Sequence, residues 1–388
     1  MQKSNRVRKP EVSGSLNGDI AEVKREIITA KPVLYPPVVI AHITNDVTDL
    51  FASRMAGKSV TQLHYSAQMN SYPHLGTMLS MMTAFALGRR LSDRFVVPVE
   101  FKFEILENVS RDKITKNGLT YTRMLCDTLR DGTPLTNTYL KSFTHLLTML
   151  SERSGIKYTL LTYHEFQALM FVRSTLLEIL RREGEFRSVI APSDNHLTIR
   201  IPCKTCGFED SEGITTKVVE TKDDHLILEN ECFQHGKQRI ILAPDNKDFV
   251  DMDTPLRNVI KEALFVREAR LGNALDLMVD GGDWVAMADF IVSEGLCRLG
   301  VNYADRPARL FTPIIEDWSG AKFSKSVHVQ HGDYAYLPES FLNLVKFEEE
   351  FGQRGIDKLW EEAVSWVSDP KRLFRNYTAE YILQILRS

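Results

Sequence analysis

No apolar run in the 388 residues approaches the roughly 18 needed to cross a bilayer. The N-terminus, MQKSNRVRKPEVSGSLNGD, also lacks the apolar centre of a secretory signal. Both absences argue against a membrane partner and for the cytoplasm. Charge of one sign is not in excess either: 48 Lys and Arg stand against 51 Asp and Glu, for a net charge of -3. That balance excludes a global polycation, so any contact with nucleic acid would fall to a local patch. Cysteine is scarce and odd in number, five in all, which does not suggest a disulfide framework. There is no internal repeat, and no low-complexity tract beyond the first thirty or so residues.

What is present, 43% hydrophobic and 26% charged residues, is the makeup of a globular chain of two or three structural units. Order is expected to begin near KPVLYPPVVIAHI, which leaves 1–34 as a basic, polar, flexible arm. SVTQLHYSA reads as a strand, Asn70 to Pro73 as a turn, TMLSMMTAFALGRRLSDRF as a helix and VVPVEFKFEIL as a strand. Strand, helix and strand in this order make a βαβ unit, which implies parallel strands with ligands at their carboxyl ends. His74 stands at such an end.

NTYLKSFTHLLTMLSERSGI and FVRSTLLEILRREGEF are helical by period. Residues 196–245 change texture, being rich in β-branched and turn-forming residues. After them PLRNVIKEALFVREARLG reads as a helix, ALDLMVDGGDW as a buried strand ending in a Gly-Gly turn, and VAMADFIVSEGLCRLG as a helix. The pattern predicts a doubly wound parallel α/β domain in two halves, 35–195 and 246–335, interrupted by a module at 196–245 and followed by short helices over 336–388.

Three constellations carry chemistry. Cys203 and Cys206, then Cys232 and His235, form two chelating pairs of the C-x2-C and C-x2-H kind. Each short spacer turns two soft ligands toward one point, as a closed tetrahedral Zn²⁺ site requires. Four protein ligands leave no open position, so the metal reads as structural, stabilising a module too small for its own core. The loop WSGAKFSKSVHV offers Lys322 and Lys325 beside small hydroxyl residues, suited to a triphosphate, although such a string taken alone is also an ordinary solvated loop. VDGGDW places Gly281 and Gly282 where a flat ligand can approach the backbone, with Asp283 as an acceptor for ribose hydroxyls; a plain glycine turn reads as well. Tyr163, His164 and Glu165 are accounted for by a helix start, and Cys126 and Cys297 read as core.

In sequence order, an H-x-G corner after the first strand, a zinc-type insertion, a G-x-D turn and a K-x-S-K-S loop resemble the catalytic core of a class I aminoacyl-tRNA synthetase. HLGT stands where that family has its HIGH motif, and KFSKS where it has KMSKS. The order SYPHLGT, zinc insertion, DGGDW, KFSKS is most similar to class I lysyl-tRNA synthetase, over roughly residues 35 to 345. The chain departs from the motifs at Thr77, in place of the second His, and at Phe323, in place of Met; related enzymes vary at both.

The resemblance implies a Rossmann-like sheet of the class I synthetase and nucleotidylyl transferase type, with an inserted zinc ribbon and a short C-terminal helical segment. It implies an attack by an amino-acid carboxylate on the α-phosphate of ATP, giving an aminoacyl-adenylate, with Mg²⁺ accompanying the nucleotide. His74 and Thr77 would hydrogen-bond the phosphates, Gly76 would make room for adenine, and Lys322, Ser324 and Lys325 would hold the β- and γ-phosphates. Gly281, Gly282 and Asp283 would take the ribose side. Glu104, Glu107 and Asn108 would read the amino group or a cationic side chain, although Glu107 and Asn108 equally well cap a turn. Only 62 residues follow Ser326, with 7 Lys and Arg against 10 Asp and Glu, so the expected acceptor is tRNA or else a small amine or a protein. Two alternatives stay open: a nucleotidylyltransferase of the same superfamily, and an inactive synthetase paralogue with an RNA-binding or regulatory role.

Overall fold

The computed structural model describes residues 44–127, 136–194, 196–323 and 337–388, together with Ala41 and the backbone of 33–34, 129–130 and 133–134. The expected arm, apart from 33–34, lies outside the described residues, as do Ser324 and Lys325. Six parallel strands form the central sheet: β1 (Val33–Leu34), β2 (Val60–Gln68), β3 (Val99–Leu106), β4 (Tyr158–Thr162), β5 (Ala274–Gly281) and β6 (Ala308–Thr312). Their spatial order is β1-β6-β5-β2-β3-β4. From β2 the chain winds outward through β3 and β4; it then returns to β5 on the other side and winds outward through β6. This is a doubly wound Rossmann-like sheet, and its topological switch point lies between β2 and β5.

Alternation along the strands sorts the side chains onto two faces. Leu63, Tyr65 and Ala67 of β2, Phe101, Phe103 and Ile105 of β3, Leu275, Leu277 and Val279 of β5, and Ala308 and Leu310 of β6 share one core. Helices α1 (Leu75–Phe95) and α2 (Thr136–Ser154) cover that face. The second core lies on the other face, under α3 (Met170–Arg181) and α4 (Thr254–Leu271). There the alternate strand positions are polar: His64 and Ser66, Lys102 and Glu104, Asp276 and Asp280, and Arg309. Parallel strands covered on both faces are ordinarily apolar on both. A polar layer under α4 is therefore an exception that needs a use.

Helix α1 packs close to the sheet because Gly88 allows it; a Cβ there would come within 2.8 Å of Ile156 Cδ1. The C-terminal helices α5 (Leu344–Ser368) and α6 (Ala379–Arg387) complete this side, burying Trp366, Leu359 and Ile382 in the same core. Gly352, at φ 57°, breaks α5 into two helical pieces, and a further short helix, Pro370–Leu373, stands between α5 and α6, where three short helices were expected over 336–388.

Two helices expected to be continuous are not. FVRSTLLEILRREGEF is broken at Arg182 (φ -108°, ψ 29°) into α3 and Glu183–Ile190. VAMADFIVSEGLCRLG begins as a π-helix, Met287–Val292, before Ser293–Arg298. Cys297 is exposed rather than core, because that short helix turns Leu296 inward instead; Cys126 is half-buried. Among the described residues no helix is long and apolar enough to cross a membrane.

Candidate active site at the switch point and a candidate metal centre

A cavity of about 500 Å³ opens at the carboxyl ends of β2 and β5. On its α1 side, His74 is the N-cap of the helix and its Nδ1 accepts a hydrogen bond from Gly76 N at 3.2 Å. A neutral ring that accepts at Nδ1 carries its proton on Nε2. Gly76 is needed for this fold-back: a Cβ would stand 3.1 Å from His74 Cε1 and 3.3 Å from Nδ1. Thr77 and Ser80 continue the same wall, with Ser80 Oγ 3.0 Å from Thr312 Oγ1.

At the end of β5, Gly281 and Gly282 line the cavity and give way to Asp283. A Cβ on Gly282 would meet Ile314 Cγ1 at 3.0 Å and Thr312 O at 3.2 Å, and one on Gly281 would meet Asp283 Oδ1 at 2.7 Å. Asp283 forms an ion pair with Lys322. Lys322 is presented by a small hairpin in which Asp317 N bonds Ala321 O at 2.8 Å and Phe323 N bonds Ile315 O at 2.8 Å. Asp317 Oδ1 also accepts from Ser319 N at 2.8 Å and Ala321 N at 3.2 Å. Phe323, where the resembled motif has Met, is buried, and its ring meets that of His74 edge-on at 6.4 Å between centroids. The two motifs that resemble HIGH and KMSKS therefore touch through these rings.

The α4 side was not legible as a site in the sequence. Arg257, Asn258, Lys261 and Glu262 lie on one face of α4 and line the cavity, although all four are buried. Arg309 gives one guanidinium nitrogen to Glu262, while its Nη1 stands 3.9 Å from Asp280. Lys261 Nζ donates to Ser66 Oγ at 2.6 Å, and Ser66 Oγ donates to Glu104 Oε2 at 2.6 Å. Burial pushes the Asp280 carboxyl up to about 6; Lys261 and Arg309 pull it down, while Glu262 and Glu104 push it further up. The available clue was a helix with almost no polar face, since α4 buries Arg257, Asn258, Lys261 and Glu262 among apolar residues.

The expected substrate trio is not gathered at the cavity wall. Glu104 lies one hydrogen bond behind it, between Ser66 and His64. Glu107 pairs with His164, a contact that raises the imidazole above its ordinary value. Asn108 donates to Asp251 Oδ1 at 2.7 Å and accepts from Arg257 Nη1 at 3.3 Å. Tyr163, His164 and Glu165 do begin a helix, with Thr162 and Glu165 making a capping box.

The four expected metal ligands converge. Cys203 and Cys206 lie in the loop before the strand Phe208–Asp210, and Cys232 and His235 lie in the turn between Leu226–Cys232 and Gly236–Leu242. Their ligand atoms all lie within 4.8 Å of one another. Cys203 Sγ is 3.4 Å from His235 Nδ1, Cys206 Sγ is 3.6 Å from Cys232 Sγ, and Cys232 Sγ is 3.6 Å from His235 Nδ1. Tetrahedral Zn²⁺ with bonds of about 2.3 Å to sulfur and 2.0–2.1 Å to nitrogen separates its ligands by about 3.8 Å (S to S) and 3.6 Å (S to N). The residues fit such an ion. Gly207, at φ 71°, closes the first turn with its N bonded to Cys203 O at 2.8 Å. Phe208–Asp210 pairs with the hairpin Ser110–Lys116 and Leu119–Met124, so the cysteine loop is anchored on a segment that precedes α2 in the chain.

No family model matches the chain, and no curated protein matches it by sequence. Among solved structures, a Mycobacterium tuberculosis methionyl-tRNA synthetase bound by methionyl-adenylate is similar at 13% identity and TM-score 0.44, over 85% of this chain and 68% of that one. A second structure of that synthetase in complex with methionyl-adenylate gives 12% identity and TM-score 0.42 over the same shares. A putative arginyl-tRNA synthetase from Campylobacter jejuni gives 8% identity and TM-score 0.37, over 78% of this chain and 62% of that one. Likeness this loose assigns no residue a role.

Proposed function

We propose that this chain activates an amino acid with ATP, forming an aminoacyl-adenylate and pyrophosphate at the β2–β5 switch point. The observation that carries the proposal is the single cavity that joins His74 and Gly76 at a helix N-terminus to Gly281, Gly282, Asp283 and Lys322. An oxygen of the substrate carboxylate attacks the α-phosphorus, the bond from that phosphorus to the bridging oxygen breaks, and pyrophosphate leaves. A carboxylate is ionised at neutral pH, so no general base is required, and the site's task is positioning and charge stabilisation.

In this reading, His74 Nε2–H and the first-turn NH groups of α1 meet the phosphates. Lys322 leaves Asp283 to follow the charge on departing pyrophosphate, which frees the carboxylate for the ribose hydroxyls. Ser324 and Lys325, which follow Lys322 in the sequence, act with it. Mg²⁺ enters as counter-ion of the triphosphate. Zn²⁺ in the Cys203, Cys206, Cys232 and His235 cluster holds two loops together and takes no part in the chemistry. The acyl group then passes to tRNA or to an amine on a small molecule or protein; the order of motifs resembles that of class I lysyl-tRNA synthetase.

The test is exchange of labelled pyrophosphate into ATP across the twenty amino acids, with transfer to tRNA as a second arm. Exchange dependent on at least one amino acid is the expected result. Absence of exchange with all of them, together with turnover on a phosphorylated acceptor, would move the chain to the nucleotidylyltransferases.

A further inference from the structure

We propose that Asp280 is the anchor for the substrate's free α-ammonium group, so that the site takes amino acids and discriminates against acids that lack an unblocked amine. The proposal rests on the reading of the cavity as an amino-acid and ATP site. It starts from the polar layer between the sheet and α4, in which nearly every charge is already committed. Glu262 holds Arg309, Ser66 accepts from Lys261 and donates to Glu104, and Asn108 accepts from Arg257.

Two carboxylates are exceptions, Asp276 and Asp280, and of the two it is Asp280 that lines the cavity. Among the described residues no hydrogen bond reaches its carboxylate, and Arg309 Nη1 is 3.9 Å away and itself without a hydrogen bond. The side chain keeps 21% of its surface exposed, and it lines the cavity. An acidic group that is mostly buried, lightly partnered and open only toward a ligand cavity is costly to keep ionised unless a cation arrives. The cations near it are fixed: Lys261 and Arg309 lie close enough to pull its pKa down, yet burial with Glu262 and Glu104 still lifts it to about 6. An incoming ammonium supplies the missing donors and the missing charge.

Position agrees with chemistry. Asp280 lies three residues before Asp283 on the turn that ends β5, on the α4 side of the sheet, whereas His74 and Thr77 lie on α1. An α-ammonium is separated from its own carboxylate by one carbon. An amine held by Asp280 therefore keeps the attacking carboxylate within the same cavity that His74 and Thr77 line. A carboxylic acid without the amine would leave Asp280 buried and unpaired, which gives discrimination of the kind that polar sites achieve.

The experiment measures binding and turnover separately, in the full chain. Calorimetric titrations of the twenty amino acids, and of the des-amino acid matching each binder, are run on wild type and Asp280→Asn at pH 7.5. Wherever pyrophosphate exchange is detected, KM is measured from pH 5 to 8. The expected result is an amino acid that binds wild type at least about 30-fold more tightly than its des-amino analogue, a gap that shrinks below about threefold in Asp280→Asn. KM for the amino acid rises as pH falls through about 6 in wild type and stays flat in the variant, while KM for ATP is unchanged. The groups facing Asp280 in this range are Lys261 and Glu262 on α4, Arg309 on β6 and Glu104 on β3. Equal loss of amine-bearing and des-amino ligands in the variant overturns the proposal, as does the absence of binding by any amino acid. Exchange that ignores Asp280→Asn overturns it while leaving the proposed function standing. Asp280-dependent binding without exchange does the reverse.

Discussion

Replacing Asp276 by Asn should stabilise the protein at neutral pH and not at acid pH. Asp276 sits mid-strand on β5, 3% exposed, with both carboxylate oxygens lacking a hydrogen bond among the described residues. His64 Nε2 stands 3.3 Å from Oδ1 without the geometry of a hydrogen bond, and the imidazole stacks on Phe265 at 3.7 Å between ring centroids. Burial dominates and pushes the carboxyl from an ordinary 3.8 up to about 6, against the pull of His64. A rise of that size corresponds to roughly 3 kcal/mol. The sign follows from proton counting. The folded chain holds this proton more tightly than the unfolded chain, so the cost is absent below about pH 4, grows between 4 and 6, and is complete above 6. An Asn carries no such penalty but still buries an amide, which leaves a net gain of about 1–2 kcal/mol at pH 7.5, or roughly 1–3 °C in Tm for a chain of this length. Thermal melts of wild type and variant at pH 4.5 and 7.5 measure it. A gain at pH 7.5 that shrinks toward zero at pH 4.5 is expected; equal effects at both values would refute the argument that burial sets the Asp276 carboxyl.

Other outcomes follow from the site's geometry. Gly76→Ala should leave Tm unchanged or raise it, because Ala is the better helix former by about 1 kcal/mol, while turnover falls about tenfold as the new Cβ displaces the His74 ring; a fall in both would mean that Gly76 is a folding residue only. Elemental analysis should find about one zinc per chain, lost in Cys232→Ser together with several degrees of Tm; full metal content in the variant would exclude the cluster as its site. Phe323→Ala opens the contact with His74 and should lower turnover more than it lowers ATP affinity; Phe323→Met, which restores the resembled motif, should recover most of the loss.

The architecture was legible where one period dominates. The strand VTQLHYSAQ alternates Leu63, Tyr65 and Ala67 with Gln62, His64 and Ser66, and the helix after it was read from its apolar spacing. That alternation also contained the polar layer, but a sequence alone does not say that the polar side of a strand is covered by α4. Glu104 read as a substrate contact because it follows the strand pattern toward the cavity; its partner Ser66 lies 38 residues away along the chain, and Lys261, which donates to Ser66, lies 157 residues from Glu104, a pairing that no local pattern encodes. The cysteine pairs were legible as a metal set because each chelating turn is local. Their anchoring on the hairpin 110–124 was not, being a long-range strand pairing. The break at Arg182, whose Nη2 donates to Arg298 O at 2.9 Å, and the π-helix at 287–292 were not legible either.

The central claim is that one cavity brings an amino-acid carboxylate to the α-phosphate of ATP beside His74. Amino-acid-dependent pyrophosphate exchange, run side by side on wild type, His74→Ala and Thr77→His, tests it most directly. Exchange with at least one amino acid is expected, with a loss of about 100-fold or more in His74→Ala and preserved or higher exchange in Thr77→His. No exchange with any amino acid, or equal and mild effects of the two substitutions, would contradict it.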